Sequence, residues 1–501
     1  MGLLKKASLN GNTGLINFFV KLIISFFLNP FLIIVLGSTN YGLWKSVENL
    51  LGFASVADGR ATQALKWVIA NQESSNDLSR KERSIGSAVL IWLIFLPLLA
   101  TIVCVLFYVA PDLIEGINNQ EKLLVSSMVL IFGINLLITP LINISDSLFV
   151  GINKGYVSNI NHLIWLIIGT CIIYYTIQKG YGVVGLALSI LVTSILRGIT
   201  IFIFGKYKIK WFNFKKPERN ELTNFFKFSG WILVWSFVSK FLITGEILII
   251  GYLIGPDEVS NYSFSYYACA IGVAISSIVT GSITPGLGKL VGEKNYYKST
   301  EIVKLMREMT LGIGVFLGII ILLFNKSFVS IWVGKELFVG DFNNLLIVIL
   351  MLQLITIRNE AFIIDLSLKI RKKVTLGVTS VIFSFLAALI LITIFSHQIK
   401  YILLGIFFGR IMLNFIYPKM VNKLIDNSEF NYSYNLILKV IIIFVLAFLL
   451  GQKIELENWL ELILFSLLGV FGSILMVYNF IYSKNVKLFI ESKIPSIINK
   501  S

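Results

Sequence analysis

Charged side chains inside long apolar segments are the residues of this sequence best suited to chemistry. An ionisable group in a membrane-spanning helix costs at least about 2.5–3.5 kcal/mol, so each one needs a partner or a function. Cations beside a transport pathway bind anions such as phosphate, whereas a carboxylate at low dielectric can take up a proton or a cation. The candidate substrate-binding cations are Lys21, Arg60, Lys240 and Arg358, and the candidate ion-coupling carboxylates are Asp58, Asp146 and Glu246.

Some of the remaining charges have simpler explanations. Lys45 and Glu48 are three residues apart, on one helical face, and are expected to pair locally. Arg358 and Glu360 are two residues apart and point in different directions, so each needs another partner. Arg197 lies near the end of an apolar segment and is expected to reach the aqueous boundary.

The elements that hold these residues are long apolar segments. The 501 residues are 56% hydrophobic and only 14% charged, with a mean hydropathy of +0.84, whereas soluble domains carry about 25% charged residues. Segments long enough to cross about 30 Å of hydrocarbon fall at 13–36, 42–67, 85–110, 124–151, 157–178, 182–205, 228–254, 260–287, 309–325, 343–365, 375–396, 401–418, 436–452 and 459–483. The sequence therefore predicts an all-α polytopic membrane protein with about 14 transmembrane helices.

The distribution of Lys and Arg predicts the orientation. The formal net charge is +16. With the N-terminus inside, the inner segments carry 29 basic residues and the outer loops only 6. Because basic residues accumulate in cytoplasmic loops, we expect a multi-pass membrane protein with both termini in the cytoplasm.

An internal repeat predicts two lobes. The series Gly14, Lys21, Gly37, Tyr41 is repeated as Gly230, Lys240, Gly255, Tyr262, with the lysines 16 and 15 residues before the second glycine of each series. Six predicted helices separate the copies, which indicates a parallel pseudo-twofold repeat, as transporters use around a central site. The predicted divisions are a six-helix lobe at 1–205, a basic cytoplasmic linker at 206–227, a second six-helix lobe at 228–426, and two further helices with a cytoplasmic tail at 427–501.

Several other functions are disfavoured by the residues present. The three cysteines lie in apolar segments and the two histidines are far apart in sequence, so we expect no metal, no cofactor and no imidazole-based catalysis. The longest outer loop, 326–342, is too short to hold a sugar for a membrane polymerase. Gly288-Lys289 is followed by Leu290 and is no phosphate-binding loop of a primary pump. The basic surplus is explained by topology, so no nucleic-acid partner is expected.

Two groups of residues carry a family resemblance. The first comprises Leu36-Gly37, Tyr41-Gly42-Leu43-Trp44, Leu51-Gly52-Phe53 and Asp58-Gly59, and the second comprises Phe228-Ser229-Gly230, Glu246 to Gly251, Gly255, Tyr262 and Pro285. In these residues the chain resembles Wzx-type polysaccharide (O-antigen, repeat-unit) flippases, of the multidrug, oligosaccharidyl-lipid and polysaccharide exporter superfamily. That family more often has Asp where this chain has Glu246, and an apolar residue where it has Arg60. Arg60 is therefore either a substrate adaptation or the ion-pair partner of Asp58.

The resemblance implies two six-helix bundles around a V-shaped cavity and two peripheral helices. It implies translocation of undecaprenyl-diphosphate-linked oligosaccharide to the outer leaflet by alternating access coupled to an ion gradient. The implied partners are this glycan, membrane lipids, and the polymerase and chain-length proteins of the same pathway. By position, Lys21, Arg60 and Lys240 match the cationic side chains that line the cavity of such flippases. The alternatives are a multidrug or cation exporter of the same fold and a lipid II flippase.

Overall fold

The computed structural model describes residues 3–72, 77–293, 295–366, 371–425, 434–484, 486–488 and 491. In this part of the chain the regular structure consists of helices, as the sequence predicts. The chain divides into two compact units, Met1–Val259 and Ser260–Ser501. The lobe boundaries predicted from the sequence remain a prediction, and the part of the last division at 427–433 lies outside the described residues.

Among the described residues, eight α-helices lie within the first unit. They are α1 (Leu3–Leu36), α2 (Ser38–Ala54), α3 (Ala61–Asn71), α4 (Leu78–Val109), α5 (Asn119–Gly151), α6 (Gly155–Gln178), α7 (Gly182–Lys208) and α8 (Arg219–Leu253). Side chains of α3, α4, α5 and α7 form a common apolar core around Leu65, Ala88, Leu148 and Ile201, all fully buried. This core fixes the four helices with respect to one another.

The second unit contains the remaining helices. After α9 (Pro256–Gly292), which begins at the end of the first unit, come α10 (Tyr296–Trp332), α11 (Asp341–Asp365), α12 (Arg371–Ile394), α13 (Ile399–Leu424), α14 (Tyr434–Gly451) and α15 (Trp459–Met476). Helix α11 packs between α10 and α13, and α12 packs on α13. Both C-terminal helices, α14 and α15, pack against α10.

Among the described residues, 12 helices are long and apolar enough to cross a membrane. Helix α14 is a shorter apolar helix. The predicted segment 42–67 is divided into α2 and α3 by a 3-10 turn at Ser55–Asp58, followed by Gly59 and Arg60. The prediction of an all-α membrane protein is confirmed, and this segment is the one that the structure breaks.

The N-terminal end of α10 differs from the sequence prediction. The apolar segment was placed at 309–325, with Arg307 in a cytoplasmic connection, whereas the helix begins at Tyr296 and Arg307 is fully buried within the second unit. Lys373, also assigned to a cytoplasmic connection, is fully buried at the start of α12. Each cation lies within a helix and has an acidic partner, which offsets the cost of burying its charge.

Candidate functional site

Lys240 is positioned where α8 packs against α2. The rings of Phe237 and Phe241, one turn apart on α8, contact Phe53 of α2 with centroid separations of 5.7 and 6.2 Å. A Cβ atom added to Gly52 would lie 2.9 Å from both Cε and Nζ of Lys240. The end of the lysine side chain therefore lies directly against the backbone of α2, in space that glycine leaves open.

Glu48 connects Lys240 with cations of α1 and α2. Its Oε2 atom lies 3.0 Å from Nζ of Lys45, so the predicted local ion pair is confirmed. The Glu48 carboxylate also interacts electrostatically with Lys240 and with Lys21. The two lysines at matching repeat positions, in α1 and α8, thus act on one carboxylate.

Arg60 and Asp58 extend this group at the break between α2 and α3. Positive φ angles of 71° at Gly59 and 51° at Arg60 redirect the chain there. Arg60 is held by its backbone N–H, which donates to Oδ1 of Asp58 at 2.9 Å, and its Nε lies 3.9 Å from the same oxygen. The guanidinium also interacts electrostatically with Lys240. Arg60 is therefore an ion-pair partner of Asp58 and a neighbour of the lysine.

These six residues form what we term the cation cluster, Lys21, Lys45, Arg60, Lys240, Glu48 and Asp58. It carries four positive charges and two negative ones. The ammonium groups of Lys21 and Lys240 form no hydrogen bond or ion pair with any residue that the structure describes. The Glu48 side chain is 48% exposed, and a carboxylate facing lipid would be strongly disfavoured. The exposed side of the cation cluster is therefore suited to water or to an anionic ligand.

Asp146 and Glu246, the other predicted carboxylates, occupy separate positions. Asp146 accepts a hydrogen bond from Ser158 and lies 3.6 Å from Arg197. This ion pair gives Arg197 an acidic partner on α5, and its position at the aqueous boundary stays a prediction. Glu246 is 3% exposed on α8. Within the described residues, no group of three or more His, Cys, Asp or Glu side chains could hold a metal ion.

Arg358 belongs to the second unit, on α11. Its guanidinium carbon lies 6.0 Å from the centroid of the Phe362 ring, and it interacts electrostatically with Tyr266 of α9. As expected from their spacing, Arg358 and Glu360 have different partners. In the part of the chain that the structure describes, Arg358 has no carboxylate partner.

Glu360 instead pairs with Arg307, a contact that sequence reasoning did not identify. The Arg307 Nε and Nη2 atoms donate to the two Glu360 oxygens at 2.7 and 2.6 Å. Nη1 donates to Asn422 Oδ1 at 3.0 Å, and Nη2 also donates to the Pro418 carbonyl at 3.3 Å. Both charged side chains are 1% exposed. We term Arg307, Glu360 and Asn422 the buried polar triad, and it joins α10, α11 and α13.

A family comparison matches the part of the chain that contains the cation cluster. The family described as "Polysaccharide biosynthesis protein" matches residues 13–291, which is more than half of the 501 residues. No curated protein sequence gives a significant match to the chain.

Solved structures with a similar fold include transporters and a flippase. An inward-facing multidrug resistance MATE family transporter of the MOP superfamily has a TM-score of 0.60 and 14% identity, covering 81% of this chain and 96% of its own. The lipid II flippase MurJ, in an inward closed conformation, has a TM-score of 0.58 and 16% identity, covering 93% and 98%. A MOP superfamily transporter from Pyrococcus furiosus has a TM-score of 0.58 and 13% identity, covering 86% and 98%. The chain thus has the fold of MOP superfamily transporters.

Proposed function

Because the chain belongs to the polysaccharide biosynthesis protein family, we propose that it is a flippase for lipid-linked glycans. Its substrate is an undecaprenyl-diphosphate-linked oligosaccharide repeat unit, moved across the bacterial cytoplasmic membrane by alternating access. The observation that carries this proposal is the convergence of Lys21, Lys240 and Arg60 around Glu48 and Asp58. The fold shared with transporters supports movement of a substrate rather than catalysis.

The charge of the cation cluster suits a diphosphate. Moving a charged headgroup through hydrocarbon is costly, and the cluster supplies two more positive than negative charges. Lys21 and Lys240 have ammonium groups without a hydrogen-bond acceptor among the described residues. A diphosphate offers several oxygens, and charge-assisted hydrogen bonds to such an anion contribute about 1.5–3 kcal/mol each.

Glu48 is the internal counter-ion of the unloaded site. It already interacts with Lys45, Lys21 and Lys240, so an arriving diphosphate competes with it for the same ammonium groups. Exposure of almost half of the Glu48 side chain leaves it free to rotate away. Neutralising Glu48 should therefore strengthen diphosphate binding, whereas neutralising either lysine should weaken it.

A binding measurement tests the proposal. Purified wild-type protein in detergent should bind a short-chain polyprenyl diphosphate more tightly than the matching monophosphate. Lys240→Gln should weaken diphosphate binding about tenfold or more, since one charge-assisted hydrogen bond is lost, and Glu48→Gln should strengthen it. Lys326→Gln is the control, because Lys326 pairs with the exposed Glu455 at 2.5 Å. Equal affinity for the two lipids would contradict the assignment.

Arg358, in the other unit, is a further candidate for substrate binding in this proposal. A guanidinium over the Phe362 ring, without a carboxylate partner in the described residues, is suited to bind an oxyanion with its planar fork. Arg358→Gln should slow transport while leaving the first unit's diphosphate preference intact. Loss of that preference would show that the substitution disturbs the fold and does not remove a substrate contact alone.

Ion coupling is assigned to the carboxylates Glu246, Asp58 and Asp146, with Glu246 as the main candidate. Glu246 is a buried carboxylate within a membrane-spanning helix, where protonation changes its charge at low dielectric. Glu246→Gln should slow glycan export and remove its dependence on the ion gradient while expression stays normal. Unchanged dependence on the gradient would remove Glu246 from the mechanism.

The main alternative is export of cationic drugs, because the structures with a similar fold include a multidrug resistance MATE family transporter. The net positive charge of the cation cluster argues against a cationic substrate, since like charges repel. A lipid II flippase shares the diphosphate and differs in the glycan. Competition between lipid II and an oligosaccharide-linked diphosphate for the purified protein separates those two functions.

A further inference from the structure

The connection between α7 and α8 is anchored to the first unit through apolar side chains. Ile209 and Phe212 are 3% and 7% exposed and belong to the core that α3, α4, α5 and α7 share. The Phe212 ring contacts Phe202 of α7 with a centroid separation of 5.4 Å. Lys206, at the end of α7, donates to the Phe212 carbonyl at 2.7 Å. The connection is therefore a fixed part of the unit rather than a free linker.

Its far end is fixed on α4. The Lys215 backbone N–H donates to the Glu82 carbonyl at 3.2 Å, and Lys215 Nζ lies 2.8 Å from a Glu82 carboxylate oxygen. A Cβ atom at Gly86 would lie 1.9 Å from the Lys215 carbonyl oxygen. The backbone thus lies directly on α4, close to the first turns of a candidate membrane span.

The side chains next to these anchors are exposed, and they are aromatic or basic. Tyr207 and Phe214 are 79% and 65% exposed. Lys208, Lys210 and Lys216 are exposed as well, and none pairs with an acidic residue in the described chain. The nearby acids Glu82 and Glu218 lie beside Lys215 and Arg83. We term these five exposed residues the linker surface.

We infer that the linker surface binds anionic phospholipid headgroups at the membrane boundary. It comprises the last two residues of α7, a candidate span that ends at Lys208, and part of the connection that follows, so headgroups are the anions within its reach. Exposed aromatic rings favour the membrane–water interface, and basic residues there are attracted to anionic lipids. This lipid site is separate from the cation cluster and does not depend on the transported substrate.

Native mass spectrometry of the full-length protein in detergent tests this site. Phosphatidylglycerol and phosphatidylcholine are added in equal amounts, and the ratio of their bound adducts is measured. Wild type should prefer phosphatidylglycerol. The triple variant Lys208→Gln, Lys210→Gln, Lys216→Gln should lose at least about tenfold of this preference, given the contribution of each basic residue.

Two further variants make the result decisive. The matched control removes three exposed lysines elsewhere, Lys372→Gln, Lys419→Gln, Lys423→Gln, and should keep the preference. The triple Lys→Arg variant at 208, 210 and 216 keeps the charge and should also retain it. The proposal is overturned if the control loses as much of the phosphatidylglycerol preference as the linker variant does. It is also overturned if the linker variant keeps that preference or if the Arg variant loses it.

Discussion

The position of the Lys240 ammonium depends on the missing side chain at residue 52. A methyl group there would meet Cε and Nζ of Lys240 at 2.9 Å. Those atoms are the far end of a flexible chain, so Gly52→Ala should displace the ammonium without unfolding the helix pair. We predict that Gly52→Ala reproduces most of the binding defect of Lys240→Gln, measured as affinity for the short-chain polyprenyl diphosphate.

The control for this substitution is another helical glycine. A Cβ atom at Gly472 meets nothing within 4 Å, so Gly472→Ala adds a methyl group without a contact. Its diphosphate affinity should equal that of wild type. If Gly52→Ala also binds like wild type, the ammonium position seen here is not the one that binds substrate.

At the residue scale, an ion pair between residues close in the chain can be predicted from the sequence. Lys45 and Glu48 face each other because helical geometry places residues three apart on one side. The sequence predicts only Lys45 as the partner of Glu48, because the electrostatic interactions of Glu48 with Lys21 and Lys240 depend on how α1, α2 and α8 pack. The Leu51-Gly52-Phe53 motif was noted as a family feature. Its role in admitting the Lys240 side chain required the structure.

The buried polar triad acts at the scale of helices, since it joins α10, α11 and α13. Removing one partner of a buried ion pair leaves an unpaired charge and costs about 3–5 kcal/mol. Arg307→Met should therefore lower the free energy of unfolding by about that amount and lower the thermal unfolding midpoint in detergent. Arg307→Met with Glu360→Leu should recover much of the loss, because both buried charges are then removed.

The exposed pair of Lys326 and Glu455 provides the comparison. Its side chains are 31% and 67% exposed, and exposed ion pairs contribute little to stability. Lys326→Gln should therefore leave the unfolding midpoint nearly unchanged. A midpoint for Arg307→Met within error of wild type would show that the triad does not hold these helices together.

Helix ends were harder to predict than helix positions. Hydropathy predicts the positions of the apolar segments, yet it predicts that the segment of α10 begins only at 309, because Arg307 is charged. The arginine stays inside because Glu360, 53 residues away, meets it. Similarly, the segment 42–67 is predicted as one helix although it contains charged residues, and its break depends on the left-handed backbone at Gly59 and Arg60. Neither feature follows from local hydrophobicity.

At the scale of the whole molecule, the charge distribution predicts topology. Cytoplasmic segments should carry the 29 basic residues and outer loops the 6. Reporter fusions after residues 75, 215, 295 and 495 should therefore report the cytoplasm, and fusions after 117 and 333 the outside. One fusion on the opposite side would invalidate the predicted arrangement of spans.

Reconstituted transport tests the central claim most directly. Proteoliposomes holding fluorescent undecaprenyl-diphosphate-linked oligosaccharide are assayed for its appearance in the opposite leaflet. Wild type should move it much faster than protein-free liposomes, and Lys21→Ala or Lys240→Ala should lower the rate at least about tenfold. Lys→Arg should be milder, since the charge remains while its geometry changes. A wild-type rate equal to that of empty liposomes, or an undiminished rate with Gln at both lysines, would contradict the account.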